Sequence, residues 1–257
     1  MSDSRDQQPY RGELRNTSEE QRAVARRLQE IDHHLSGRED LDWQSHSHLT
    51  LNRMNLSRIL YYDQLYQQLI GVPGVIMEFG VQWGATLALL SNLRGIHEPY
   101  NLNRRIVGFD TFAGFPAISD QDGQSSQVGD YSVAQEHAVL LEEILGLHES
   151  ASPIAHIQKY ELVTGDVVTT IPAWLEDNPH AIIGMAIFDM DIYEPTKAAL
   201  EAVIPRLTRG SILVFDELNT REFPGETAAL NEVIGLNMIR LHHDRNQSRC
   251  AWAVWGE

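Results

Sequence analysis

A single cysteine, Cys250, stands in 257 residues. No disulfide can form within the chain, and the expected setting is a reducing cytoplasm. Basic residues are scarce beside acidic ones: 20 Lys and Arg against 36 Asp and Glu leave a formal charge of −16. A field of that sign repels phosphate backbones and argues against a nucleic-acid partner. It suits a cationic small molecule or a metal ion, although solubility alone would also account for it. No run of ~18 apolar residues is present, so no membrane span is expected. The N-terminal stretch through Arg15 lacks the apolar segment of a signal peptide. Internal repeats and low-complexity segments are also missing.

What is present reads as one α/β domain behind a helical extension. Residues 1–16 are polar and without periodicity, and are expected to be disordered or loosely docked. Residues 17–70 form the extension. Thr17 to Glu20 offers a capping box, and Val24, Leu28, Ile31 and Leu35 recur at helical spacing. A second helical pattern runs from Leu49 to Ile70; its Tyr61, Tyr62 and Tyr66 either pack a core or line a substrate pocket. Gly71-Val72-Pro73-Gly74 breaks it. From residue 71 to 257, apolar runs alternate with helical patterns. Strands are expected near residues 75–79, 105–109, 160–164, 182–188 and 211–215, and helices near 85–94, 132–147, 167–176, 196–204 and 227–236. Continuous apolar strands between helices predict a parallel sheet covered on both faces, a doubly wound α/β fold. Two last strands, near 238–243 and 250–255, flank the polar Asp244–Ser248 and predict a hairpin with one antiparallel strand.

Ligands of open α/β sheets bind beyond the carboxyl ends of the strands. The first such end reads Glu78-Phe79-Gly80-Val81-Gln82-Trp83-Gly84. Gly80 would let a backbone approach a ligand, and Gly84 would admit the helix against the sheet. The dinucleotide fingerprint would need glycines where Glu78 and Trp83 stand, and Glu78 would repel a pyrophosphate, so a nicotinamide oxidoreductase ranks last. A carboxylate there suits an ammonium or sulfonium centre. The second strand ends in Asp110, which can accept bonds from a ribose diol or cap a turn. The third ends in Gly165-Asp166, where Asp166 meets an adenine amino group or caps the next helix. Together the three describe a pocket for an adenosine moiety with a positive tail.

The fourth strand ends in Asp189-Met190-Asp191 and the fifth in Asp216-Glu217. Neighbouring strands would bring Asp189, Asp216 and Glu217 together. Their repulsion calls for protons or a cation. Oxygen ligands favour Mg²⁺ first, then Mn²⁺ or Ca²⁺; no His–Cys spacing suits zinc.

These segments, in order, resemble the macrocin O-methyltransferase family over roughly residues 50–236. Pro73-Gly74-Val75 leading into Glu78–Gly84 is similar to the family's opening motif. Gly108–Pro116 resembles its D-S-F-x-G-L-P loop, with Thr111 where serine is common. Asp189–Thr196 is similar to its D-x-D-x-Y-E-[SP]-T block, and Pro224-Gly225 with Ala228 and Glu232 to the helix that follows. Glu217 departs from the family's usual Asp-Asp pair, and Gln82 replaces a frequent arginine.

The resemblance implies a Rossmann-like, seven-stranded class I methyltransferase sheet. It also implies methyl transfer from S-adenosylmethionine to a sugar hydroxyl of a glycosylated natural product, with S-adenosylhomocysteine as product and a divalent metal as helper. The cofactor set becomes Glu78, Phe79, Gly80, Trp83, Gly84, Thr86, Asp110, Thr111, Phe112, Asp166, Val167 and Asp189. The metal set becomes Asp189, Asp216 and Glu217. Asp189 is the first candidate for general base, ahead of Asp191 and His137. Tyr193 is expected to pack under its loop. Residues 117–131, rich in Asp, Gln, Ser and Gly, read as a lid over the acceptor. A homo-oligomer is expected. The alternatives are a catechol acceptor and a non-catalytic binding protein on the same scaffold.

Overall fold

The computed structural model describes residues 18–124, 126–134 and 136–257. Segment 1–16 and Thr17 lie outside the described residues. Two compact units meet in sequence between Leu60 and Tyr61.

The first unit holds α1 (Glu19–Ser36), α2 (Trp43–His46), a 3₁₀ turn (Ser47–Leu49) and the first half of α3 (Arg53–Leu69). The capping box that starts α1 is Ser18 with Gln21, one residue later than expected. Ser18 Oγ accepts the Gln21 amide at 3.2 Å, and Gln21 Oε1 accepts the Ser18 amide at 2.9 Å. Two overlapping S/T-x-x-E/Q patterns exist in the sequence, and spacing alone does not choose between them. No residue from 18 to 60 is buried, and Val24, Leu51, Met54 and Leu56 are exposed.

The second unit carries the sheet. Its strands are β1 (Val75–Phe79), β2 (Ile106–Asp110), β3 (Tyr160–Thr164), β4 (Ile183–Phe188), β5 (Leu207–Phe215), β6 (His242–Asp244) and β7 (Gln247–Val254). Their order is β3-β2-β1-β4-β5-β7-β6. β1 to β5 pair in parallel, while β7 runs antiparallel to both β5 and β6. The hairpin turn is tighter than expected, with only Arg245 and Asn246 between β6 and β7. Residues 238–241 lie outside β6.

Between the strands come α4 (Ala85–His97), α5 (His137–Ser150), α6 (Val167–Asp177), α7 (Tyr193–Val203) and α8 (Pro224–Val233). Alternate strand residues face opposite ways. Met77, Val107, Ala186 and Leu213 therefore pack one core with α6, α7 and α8. Ile76, Ile106, Met185 and Ile212 pack the other with residues of α3, α4 and α5. Tyr61, Tyr62 and Tyr66 sit in that second core at 2% exposure or less, which removes them as pocket walls. The Tyr66 hydroxyl donates to Glu98 at 2.9 Å.

One rung of the sheet sets up everything that follows. Phe109, Phe79, Phe188 and Phe215 are paired in register across β2, β1, β4 and β5. Their rings stack in sequence with centroids 5.1, 5.5 and 5.2 Å apart. All four are fully or almost fully buried, each stabilising the fold by about 1.5–3 kcal/mol. Because the rungs align, the next residue of every strand emerges at one level: Asp110, Gly80, Asp189 and Asp216. The rim is fixed by the core beneath it.

Candidate active site

Gly80 holds the rim together more tightly than a ligand-approach role requires. Its φ is +91°, and a Cβ there would collide with the carbonyl of Asp189. The Gly80 and Asp189 amides bond to the carbonyls of Phe109 and Phe79, both at 2.9 Å. The missing side chain thus serves the contact between β1 and β4. Gly84, at φ +80°, spares a collision with Leu141 of α5, not with the sheet.

Asp110 staples two loops. Its Oδ2 accepts the Gln82 amide at 2.7 Å and its Oδ1 the Phe112 amide at 2.5 Å. Gln82 and Phe112 both have positive φ, at 49° and 54°, a conformation that costs energy in residues other than glycine. Each carboxylate oxygen keeps a further lone pair for a ligand. Glu78 is 2% exposed, two positions before the rim residue Gly80 on β1. Phe79 and Val167 are core side chains, and Thr86 is buried in the first turn of α4. Thr111 Oγ1 donates to the Gly114 carbonyl at 2.7 Å. Asp166 is the N-cap of α6, accepting the Val168 amide at 3.0 Å. Trp83 is 56% exposed. His137 packs edge-on beneath the indole, centroids 4.7 Å apart, with Nε2 3.2 Å from the Trp83 carbonyl. That places His137 behind the first loop, tied to a backbone oxygen.

The other half of the rim is acidic. The Asp216 amide bonds the Phe188 carbonyl at 3.1 Å, so Asp189 and Asp216 leave adjacent strands side by side. Antiparallel pairing of β5 with β7 then brings two residues opposite the acidic pair. Cys250 Sγ donates to Asp216 Oδ1 at 3.2 Å. Arg249 Nη1 meets the Glu217 carboxylate at 3.1 and 3.2 Å. Glu217 is thereby drawn toward a guanidinium. Among the described residues, no three His, Cys, Asp or Glu side chains stand as a group that could hold an ion. The expected trio of Asp189, Asp216 and Glu217 is not assembled as a coordination shell in this structure.

Two further carboxylates occupy the same region. Asp191 is 9% exposed and has φ +64°. Burial first, then the charges of Glu217 and Asp216, push its carboxyl well above the usual carboxylate range. Glu226, in the first turn of α8, is fully buried; Oε1 accepts the Glu217 amide at 3.1 Å and Oε2 has no hydrogen-bond partner among the described residues. Burial, then Asp191 and Asp216, push its carboxyl up as well. Glu217 is raised by burial and Asp216 against the pull of Arg249. The set is all oxygen and mutually repelling, a chemistry that a hard cation would relieve.

Sequence reasoning missed Glu226 and Arg249. Glu226 lies two residues past Pro224 in a stretch already singled out, but nothing local marks it as buried. Tyr193 does pack at 4% exposure, and its hydroxyl bonds Glu232, which Lys197 also reaches at 2.6 Å. Beyond the acidic pair, an open cavity of about 440 Å³ is lined by Thr220, Arg221, Pro224 and Asn231 among others.

Comparison with known proteins agrees with this layout. A family model described as macrocin-O-methyltransferase (TylF) matches residues 2–232, reaching further toward the N-terminus than the motifs did. A relative from Streptomyces olivaceus, 8-demethyl-8-(2,3-dimethoxy-alpha-L-rhamnosyl)-tetracenomycin-C 4'-O-methyltransferase, is 28% identical over 198 residues, covering 73% of this chain and 68% of the relative. The calicheamicin methyltransferase CalS11 is 41% identical at a TM-score of 0.89, with all of both chains covered. An apo structure of CalS11, described as a TDP-rhamnose 3'-O-methyltransferase of calicheamicin biosynthesis, is 38% identical at a TM-score of 0.83, covering 97% of this chain and 100% of that one. The O-methyltransferase NovP, 21% identical at a TM-score of 0.54 over 80% of this chain and 81% of its own, shares the fold. The family match spans β1 to β5, and with them every strand end that carries a site carboxylate; this chain belongs to the macrocin O-methyltransferase family and is an O-methyltransferase.

Proposed function

We propose that the enzyme transfers a methyl group from S-adenosylmethionine to a hydroxyl of a deoxyhexose, rhamnose-like in shape, in the making of a glycosylated natural product. The observation that carries this reading is the single rim bearing Asp110, Asp189 and Asp216 on aligned strands, with Glu78, Asp191 and Glu226 buried beside it. Two of the relatives named above are described by a rhamnose substrate, one by a rhamnosyl group and one by TDP-rhamnose.

S-adenosylmethionine, when bound, supplies a methyl carbon already activated by its sulfonium and leaves as S-adenosylhomocysteine. Glu78 would take the ammonium, and the remaining lone pairs of Asp110 the ribose hydroxyls. Asp166, already engaged as a helix cap through Oδ1, would turn its other oxygen to the adenine amino group. A divalent cation, when bound, would lower the acceptor's pKa, as zinc takes water from ~15.7 to ~7 and magnesium less. Asp189, Asp216 and Glu226 would have to draw together to hold it, since no such group is assembled among the described residues, with Glu217 available if it leaves Arg249. Burial of Asp191 supports it, ahead of Asp189, as the base that accepts the hydroxyl proton on its carboxylate. His137, bonded to a backbone carbonyl, is better suited to holding the Trp83 loop.

The test is mass spectrometry of products from a rhamnosylated aglycone, TDP-rhamnose and a catechol, with and without EDTA. A singly methylated sugar, lost in EDTA, is expected. Methylation of the catechol alone would displace the sugar reading, and full activity in EDTA would remove the metal. Asp110→Ala is expected to weaken cofactor binding severalfold by calorimetry, because it frees both strained loops as well as the ribose contact. Unchanged affinity would put that contact elsewhere.

The exposed apolar side chains of residues 18–60 support assembly with a second copy of the chain in the cytoplasm. Light scattering that returned a monomer at micromolar concentration would count against it. No helix among the described residues is long and apolar enough to cross a membrane.

A further inference from the structure

Helix α7 begins immediately after the Asp189–Asp191 turn. Its own N-cap residue, Ile192, has no side chain able to cap it. The free amide of Tyr193, the first residue of the helix, is instead taken by Asp122, 71 positions earlier in the chain: Oδ1 accepts it at 2.7 Å. The other oxygen of Asp122 accepts the amide and hydroxyl of Ser119, at 2.7 and 2.8 Å. One carboxylate therefore closes its own turn and caps the helix that follows the reactive residues. An anion at a helix N-terminus is favoured by the peptide dipoles as well.

The docking is built on both sides. Gly123 lies so close to the Glu222 carbonyl that a Cβ would collide with it. A Cβ on Gly225 would meet Asp122 Oδ1 and come within 2.6 Å of the Tyr193 nitrogen. Neither glycine has a positive φ, so the requirement is for space, not for backbone freedom. At the base of the segment, the Phe115 amide bonds the Asp130 carbonyl and the Gly129 amide the Phe115 carbonyl, both at 3.0 Å. Tyr131 packs between Phe115 and Phe223, with centroids 5.3 and 6.3 Å away. The loop is closed at its foot and fastened at its tip.

Asp191 precedes the capped amide by two residues and holds a left-handed φ of +64°. The Ile192 amide turns back onto the Met190 carbonyl at 2.7 Å. Such a conformation persists only where its surroundings enforce it.

We propose that Asp122 is a positioning residue for Asp191: it caps α7 from the 117–131 loop, so that the reactive turn takes its working shape only when that loop is docked. The proposal rests on the reading of Asp191 as the base. It makes the loop more than a cover, because docking over the acceptor and setting the base become one event.

The experiment compares wild type, Asp122→Ala and Asp122→Asn by steady-state kinetics, cofactor calorimetry and amide hydrogen exchange. Asp122→Ala is expected to lower kcat at least tenfold while cofactor affinity stays within twofold. Exchange should rise together over residues 117–124 and 191–196. Asp122→Asn keeps an oxygen for the Tyr193 amide and should recover most of kcat; it also serves if the alanine variant does not fold. Exchange that rises in the loop but not at 191–196 overturns the coupling, as does an unchanged kcat in Asp122→Ala. Asp191→Asn, run alongside, separates the two claims. If it keeps full activity the base assignment fails, while the exchange data still decide whether Asp122 ties the loop to the turn.

Discussion

Asp191→Asn is expected to lower kcat by two to four orders of magnitude, the usual contribution of a positioned general base, with S-adenosylmethionine affinity within twofold of wild type. The variant is chosen for its backbone. Asp191 sits at φ +64°, where asparagine is among the best tolerated residues after glycine, so asparagine removes the proton acceptor without adding strain. Alanine would confound the two effects. The wild-type pH profile should show the same group. Burial and the charges of Glu217 and Asp216 raise the Asp191 carboxyl, so the fraction ionised, and kcat with it, climbs with pH above the ordinary carboxylate range. Raising the divalent cation from a sub-saturating to a saturating level should move that ascending limb to lower pH by opposing the same charges. Stopped assays from pH 5 to 9 would show both. A kcat for Asp191→Asn within a few-fold of wild type would transfer the role to Asp189.

The second large effect concerns stability. Glu226→Gln is expected to stabilise the metal-free protein at neutral pH. Glu226 is fully buried with one oxygen lacking a hydrogen-bond partner among the described residues, and its carboxyl is raised by burial, Asp191 and Asp216. A raised carboxyl binds its proton more tightly folded than unfolded. Stability is therefore intact below the unfolded value near ~4.3 and is lost as pH rises through the folded value. Glutamine keeps the oxygen that accepts the Glu217 amide and offers donors to the neighbouring carboxylates. The gain should be about 1–3 kcal/mol, the cost of one unsatisfied buried polar group, or ~2–4 °C in Tm per kcal/mol for a chain of this size. Thermal unfolding in EDTA at pH 5 and pH 8 tests it. The wild type should lose Tm between the two, and the variant should lose less. With Mg²⁺ the order reverses if Glu226 helps to hold the ion. A variant no more stable than wild type at pH 8 in EDTA would mean that Glu226 is neutralised in some other way.

Both predictions turn on residues of unequal visibility. Asp191 stands in a motif at a strand end, and a reader of the sequence can weigh it. Its advantage over Asp189 comes from burial, which no motif records. Glu226 shares its segment with Pro224 and Gly225, yet only the packing of α8 against the rim takes it out of water. His137 illustrates the reverse. A histidine near an expected acceptor loop is a fair candidate for base, and only its contact with Trp83 assigns it to the first loop. Residues 117–131 read in the sequence as a loop rich in Asp, Gln, Ser and Gly, whereas the bond from the Tyr193 amide to Asp122 within them leaves no local trace.

The order of strands and helices, the parallel sheet with its closing hairpin and the acidic strand ends all follow from the sequence alone. Apolar runs, helical periodicity and glycine turns are short-range signals, and they survive in any context. Only the tertiary structure decided that Arg249 and Cys250 face Glu217 and Asp216, that Glu226 joins them, and that Asp122 caps α7. Each of these depends on the register between segments far apart in the chain. Register is set by how stacked phenylalanines and close-packed helices fit, not by any local pattern.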